Sequence, residues 1–181
     1  MTPGISVASA IFVLGTRHVY QFGAGTSLGQ HSCSDEHEAL FRDRMLTVCR
    51  FHHIRAIGEE MSIDALRGKN RTESTPKTLA DALAIPHSYC DPIFAEWETL
   101  GIIEENVIVW KGCRSGLSKR EIRNQIHTMR RKREPYWLSK LEVLNTWPTL
   151  FICGFWHVPS FCKLVEDKGH STTVVDRSWH A

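Results

Sequence analysis

The chain has 181 residues, a length that suits one domain and leaves little room for two. Its 42% hydrophobic and 23% charged residues match an ordinary soluble globular chain, and a domain of this size buries roughly two thirds of its unfolded surface, so it needs no staple to fold. A net charge of +2 singles out neither nucleic acid nor a membrane, and no run of about 18 apolar residues offers a membrane span.

In chain order, Met1–Ala10 has no charged leader region and runs into the apolar stretch Ala10–Leu14, so it reads as the approach to a strand rather than a signal peptide. That stretch is wholly apolar and ends at Gly15, as a strand buried on both faces does. Arg17–His31 is polar and glycine-rich and reads as a loop. Asp35 to Glu38 predicts a capping box for a helix reaching about Phe51, with Leu40, Phe41, Met45 and Val48 on its apolar face. Ile54–Gly58 reads as a second strand, ending in Glu59-Glu60. Arg67–Thr75 reads as loop, and Thr75-Pro76 starts a helix with proline at its first position.

Ile85–Cys90 is a third candidate strand and Pro92–Leu100 a further helix, while Val107–Trp110 fits either. Ser118 to Leu144 has a helical pattern with a break or kink expected at Pro135. Leu150–Cys153 is an apolar strand ending at Gly154, Val158–Lys168 a helix closed by Gly169, and Thr172–Val175 the last strand. The alternation predicts a single α/β domain over residues 1–181, with a largely parallel sheet flanked by helices and a basic helical segment at about 111–144.

Six cysteines are present without a Cys-x-x-Cys pair, which argues against a zinc ribbon. Cys49 and Cys153 lie in apolar segments and read as buried thiols in a reducing, cytoplasmic setting.

In an open parallel sheet, sites form beyond the carboxyl ends of the strands. Gly15–His18 and Gly154–His157 are both Gly-x-x-His turns at strand ends, and Glu59-Glu60 and Asp91 follow two other strands. Glycine allows a sharp exit from each strand without a Cβ clash. If these strands are neighbours, two imidazoles and a carboxylate converge. His18, His157 and Glu60 could then bind a divalent ion (manganese, cobalt, zinc or iron) with positions open for water or substrate. The same trio can work without metal, as a histidine base oriented by Glu60 or Glu59. Taken singly, each residue has a blander explanation: a loop hydrogen-bonder for a histidine, a solvated carboxylate for a glutamate. The recurrence of the turn at both ends of the chain carries the functional reading.

Ile11-Phe-Val-Leu-Gly-Thr-Arg-His18, Ile57-Gly-Glu-Glu60 and Phe151-Ile-Cys-Gly-Phe-Trp-His157 together resemble the TraB/Tiki and erythromycin-esterase-like superfamily. That group shows two Gly-x-x-His motifs and a glutamate after the second strand. Arg133, in Arg133-Glu-Pro-Tyr-Trp-Leu138, resembles an arginine on the helix before the second motif. Pro86–Ile102, with Tyr89-Cys-Asp-Pro92, is similar to a segment of small bacterial members without assigned function. The resemblance covers the two ends of the chain and thins in the middle. It implies a metal-dependent peptidase, an esterase, a haem-binding protein or a member without activity.

Other groupings have simpler explanations. His31, Cys33, Asp35 and His37 could hold a metal, but a loop capped by Asp35 accounts for them. Gly23, Gly25 and Gly29 lack the spacing of a dinucleotide fingerprint and suggest a lid beside His18. Cys90 with His87 and Asp91 reads as a structural cysteine rather than a nucleophile, and Asp91 as a cap before Pro92 or a group on the site rim. Lys111–Lys140 holds ten Lys/Arg against two Glu, densest at Arg130–Arg133: a solvated helix face, a clamp for an anionic substrate through Arg133, or a contact for nucleic-acid phosphate. Phe155 and Trp156 are candidates for a pocket wall or a homodimer surface.

The leading expectation is a metal-assisted hydrolase of a peptide, ester or amide-type bond. Its site would be His18, His157, Glu60 (or Glu59) and Arg133, with Arg17, Asp91 and Trp156 as substrate contacts. The alternatives are a ligand- or haem-binding module without turnover, and a nucleotide- or nucleic-acid-acting protein using the basic helix.

Overall fold

The computed structural model describes residues 9–180. The expected strand-like start at Met1–Ala8 lies outside them. Five parallel strands form one sheet in the order β5-β4-β6-β1-β7. They are β1 (Ala10–Thr16), β4 (Ala56–Glu59), β5 (His87–Tyr89), β6 (Thr149–Gly154) and β7 (Ser171–Trp179). β2 (Ser27–Leu28) and β3 (His31–Ser32) form a separate small hairpin.

The two-residue period of the strands builds two cores. Leu14, Leu150, Ile152 and Ile57 point to one face, where they meet Phe41, Met45 and Val48 of α2 (Asp35–Phe51) and Leu79 of α4 (Thr75–Ala82). Ile11, Val13, Phe151 and Cys153 point to the other. There they meet Trp137, Leu138 and Leu141 of α7 (Lys119–Leu144) and Phe161 and Val165 of α8 (Val158–Asp167). The apolar runs of β1 and β6 are covered on both sides, as their composition predicts.

Several local expectations are corrected. Arg17–His31 is not simply loop: it contains α1 (His18–Phe22) and the β2–β3 hairpin. α2 is capped by Ser34, not Asp35; its hydroxyl accepts from the His37 N–H, and the His37 ring accepts from the Ser34 N–H. Leu40 is exposed rather than part of the apolar face. α3 (Ile63–Arg67) stands where no element was read. α5 (Phe94–Trp97) is shorter than Pro92–Leu100, and Val107–Trp110 belongs to a helix, α6 (Glu105–Arg114). α7 runs through Pro135 without a break. Pro135 and Arg131, whose carbonyl loses its partner there, are both exposed, so water can satisfy that carbonyl. β7 extends well past Thr172–Val175, because Trp179 packs on Tyr20 and Phe41.

No helix among the described residues is long and apolar enough to cross a membrane. All six cysteines are free, and only Cys113 is exposed.

Candidate functional site

The strands carrying the two Gly-x-x-His turns are neighbours, with Thr16 of β1 beside Gly154 of β6, and β4 flanks β6 on its other side. Their carboxyl ends therefore bring His18, His157 and Glu60 together. Glu60 Oε1 lies 3.6 Å from His18 Nε2 and 3.5 Å from His157 Nε2, and it accepts from Arg133 Nη2 at 2.8 Å. Glu60 Oε2 accepts from the Gly154 N–H at 2.8 Å. Burial pushes the Glu60 carboxyl up. His18 and His157 in their cationic forms, with Arg133 and the Gly154 N–H, outweigh that and hold it at about 2.

Each histidine is fixed through its other nitrogen. Glu134 Oε1, an acceptor, is 2.8 Å from His157 Nδ1 and also accepts from the Ser160 hydroxyl at 2.6 Å. His157 Nδ1 therefore carries the proton, and in the neutral ring Nε2 presents a lone pair towards Glu60. His18 is oriented by a longer chain. Gln21 Nε2 donates to Glu59 Oε2 at 3.1 Å, since a carboxylate cannot donate to it. Gln21 Oε1 then accepts from His18 Nδ1–H at 2.8 Å, so in the neutral ring His18 Nε2 also presents a lone pair. The turn of α1 places His18 and Gln21 three residues apart on one face.

Glu59 and Glu60 thus separate. Glu60 faces the histidines, while Glu59 is fully buried behind them, bonded to Gln21, to His87 Nε2 at 2.9 Å and to Ser74 Oγ. Adjacent strand residues point to opposite faces, but β4 ends at Glu59, and it is the turn after it that carries Glu60 to the strand ends.

The motif glycines avoid a Cβ clash, as expected, without a left-handed backbone. Neither Gly15 nor Gly154 has a positive φ; both lie within strands and leave space. A Cβ on Gly154 would stand 2.9 Å from His18 Nε2, and one on Gly15 would stand 2.3 Å from the Arg177 carbonyl oxygen.

Asp91 is not a helix cap, since Ile93 precedes α5. It accepts from Arg133 Nε at 2.7 Å and Trp137 Nε1 at 2.8 Å. Burial raises its pKa despite Arg133, with the Glu60 charge adding to the rise. Arg133 therefore spends donors on two carboxylates, and Trp137 packs edge-on against His157 with ring centroids 4.7 Å apart.

A cleft of about 680 Å³ opens over these groups. Arg17, Asp91 and Trp156 line it, together with Phe155. The β2–β3 hairpin contributes Leu28 and His31 to its wall, so the glycine-rich segment does border His18. Sequence reading missed Phe94, Trp97, Gln21 and Glu134. Glu134 had a signal: with Trp137, Leu138 and Leu141 it falls on the buried stripe of α7, where a carboxylate needs a partner.

The remaining candidates resolve otherwise. His31 accepts from Arg17 Nη1 at 3.1 Å, Cys33 is buried, and His37 serves the α2 cap. Cys90 is buried, with its thiol pushed up to about 12 chiefly by burial, and its neighbour His87 is engaged by Glu59. Within the basic tract, Arg130 is paired with Glu105 at 2.7 and 3.0 Å, Lys132 donates to the Gly101 carbonyl, and Arg133 is in the site; Arg131 is exposed.

The donor set for a metal can be judged on the same geometry. Spacings of 3.5–3.6 Å suit adjacent ligands of one tetrahedral ion. Against that, the shared oxygen already carries the Arg133 guanidinium, and a divalent ion there would sit beside a like charge. Among the described residues no group of three or more His, Cys, Asp or Glu side chains is disposed to hold a metal ion. As placed, the residues do not fit a three-ligand centre. No family model, curated protein or solved structure compared with the chain gives a significant match.

Proposed function

We propose that this protein is a hydrolase of an ester or amide-type bond in a small substrate, with His157 as general base. The observation that carries this reading is the Glu134–His157 pair at 2.8 Å, which fixes a buried imidazole with its Nε2 lone pair facing the cleft end of the sheet. His157 Nε2 takes a proton from water as the water oxygen bonds to the acyl carbon. Glu134 stabilises the imidazolium through its Nδ1–H. The same proton then passes to the departing oxygen or nitrogen as that bond breaks. His18, more open to the cleft and held by Gln21, offers a second acceptor to the water. Glu60, anchored by Arg133 and the Gly154 N–H, keeps negative charge between the two rings. Of the outcomes that the resemblance to the two-motif superfamily implies, this reading matches the esterase. The free cysteines suit a reducing compartment, and we place the protein in the cytoplasm.

The experiment is a screen of ester and amide substrates with the wild type, His157→Ala and His18→Ala, run beside elemental analysis of the untagged protein. Removing the base is expected to lower kcat by about 10²–10⁴-fold. Turnover that survives in both variants would overturn the reading. Near-stoichiometric manganese, cobalt, zinc or iron, lost when both histidines are replaced, would replace it with the metal-assisted version.

A further inference from the structure

We infer that the cleft selects a small substrate bearing a carboxylate and an aromatic or long aliphatic body, with Arg17 holding the carboxylate. The position of the cut bond rests on the hydrolase reading; the recognition does not. The starting observation is how the cations of the cleft are used. Arg130 is spent on Glu105 through two bonds, and Arg133 on Glu60 and Asp91. Arg17 also lines the cleft, but no carboxylate among the described residues pairs with it. Its partner is the lone pair of His31 Nδ1, on the β2–β3 hairpin, at 3.1 Å. That contact orients the guanidinium and leaves its charge unmatched. Arg17 immediately precedes His18, so the charge lies next to the proposed chemistry.

The apolar part of the wall comes from three directions. Phe22 stands at the end of α1, Phe94 and Trp97 on α5, and Phe155 and Trp156 in the turn before α8. Phe94 and Trp156 are 58% and 64% exposed, which is costly to leave bare and suits the body of a ligand. A volume of about 680 Å³ falls within the range of small-molecule sites, roughly 300–1,000 Å³, and excludes enclosure of a folded protein. One uncommitted guanidinium matches one negative charge. A phosphate dianion would call for a second free cation, and the other two arginines of the cleft are engaged. A planar carboxylate also fits the guanidinium fork.

The experiment has two arms on the full chain. In the first, calorimetry compares 4-phenylbutyrate with neutral 4-phenylbutan-1-ol. The acid is expected to bind about ten- to a hundredfold tighter, as one charge-assisted contact supports. Arg17→Met should erase that preference, and Arg17→Lys should keep part of it. Thermal unfolding checks the fold of both variants, and if the methionine variant fails to fold, a several-fold loss in the lysine variant gives the answer. In the second arm, hydrolysis of N-(4-phenylbutyryl)glycine is compared with that of its glycinamide; the acid should have the lower KM, and the gap should close in Arg17→Met and narrow in Arg17→Lys. Arg17-dependent acid binding without turnover upholds this inference and removes the hydrolase reading. Turnover without any preference for the acid, or binding indifferent to charge and to Arg17, overturns the inference and leaves the hydrolase reading standing.

Discussion

Glu134 is the residue on which the site turns. Because a carboxylate only accepts, it dictates which nitrogen of His157 carries the proton. Glu134→Gln keeps the size of the side chain but can present an N–H to Nδ1, moving the proton to Nε2 and removing the base. We expect kcat to fall about 10²–10⁴-fold with little change in the near-ultraviolet circular dichroism; a loss of fold instead would make Glu134 a structural partner only. Glu60 makes a prediction about pH. Its folded pKa, about 2, lies below the unfolded value of about 4.3. Its ionised form therefore stabilises the fold fully above about pH 4.5, and the contribution is lost as pH falls towards 2. Asp91, raised in the fold, works in the opposite sense, since protonation favours its folded form. Chemical denaturation from pH 7 to 2 should show the stability gap between wild type and Glu60→Gln narrowing below pH 4.5; a constant gap would show that Glu60 is not held ionised.

At the scale of the element, helix α7 delivers Arg133 to Glu60 and Glu134 to His157 from adjacent positions. It does so with Pro135 in its interior, where proline removes one backbone bond. Because helix continues on both sides, Pro135→Ala should restore the bond to the Arg131 carbonyl. The expected gain is about 1–3 kcal/mol, or a Tm higher by several degrees. A drop in Tm would mean that the proline conformation is required there. Short α1 shows the opposite case. Its glycine-rich sequence context reads as loop, and its one turn is held by the burial of Val19, Tyr20 and Phe22 rather than by helix propensity.

For the whole molecule, the sheet is shared by two cores on opposite faces. Phe41 anchors one and Phe161 the other, and both are fully buried. Phe41→Ala and Phe161→Ala should each cost about 3–5 kcal/mol and each shift a single unfolding transition. Two separate transitions in calorimetry would divide the chain into independent units. The order β5-β4-β6-β1-β7 makes the site possible: β6, late in the chain, inserts between β4 and β1. His157 thereby arrives between residues more than 90 positions earlier.

The α/β class, the buried strands β1 and β6, and the two Gly-x-x-His turns could be read directly from the chain, because apolar runs and glycine punctuation are local signals. Pairings across the sheet are not local. Nothing in Glu59-Glu60 says which carboxylate meets the histidines; the turn after β4 and the parallel register with β6 decide it. Ser34 rather than Asp35 caps α2 because the hydroxyl, one residue earlier, reaches the His37 N–H. Gln21, Glu134 and Asp91 acquire their partners only when α1, α7 and β5 are packed around the strand ends. Periodicity along the chain fixes which residues must be buried, whereas the pairing of buried polar groups depends on contacts between distant segments that only the folded chain brings within hydrogen-bonding reach.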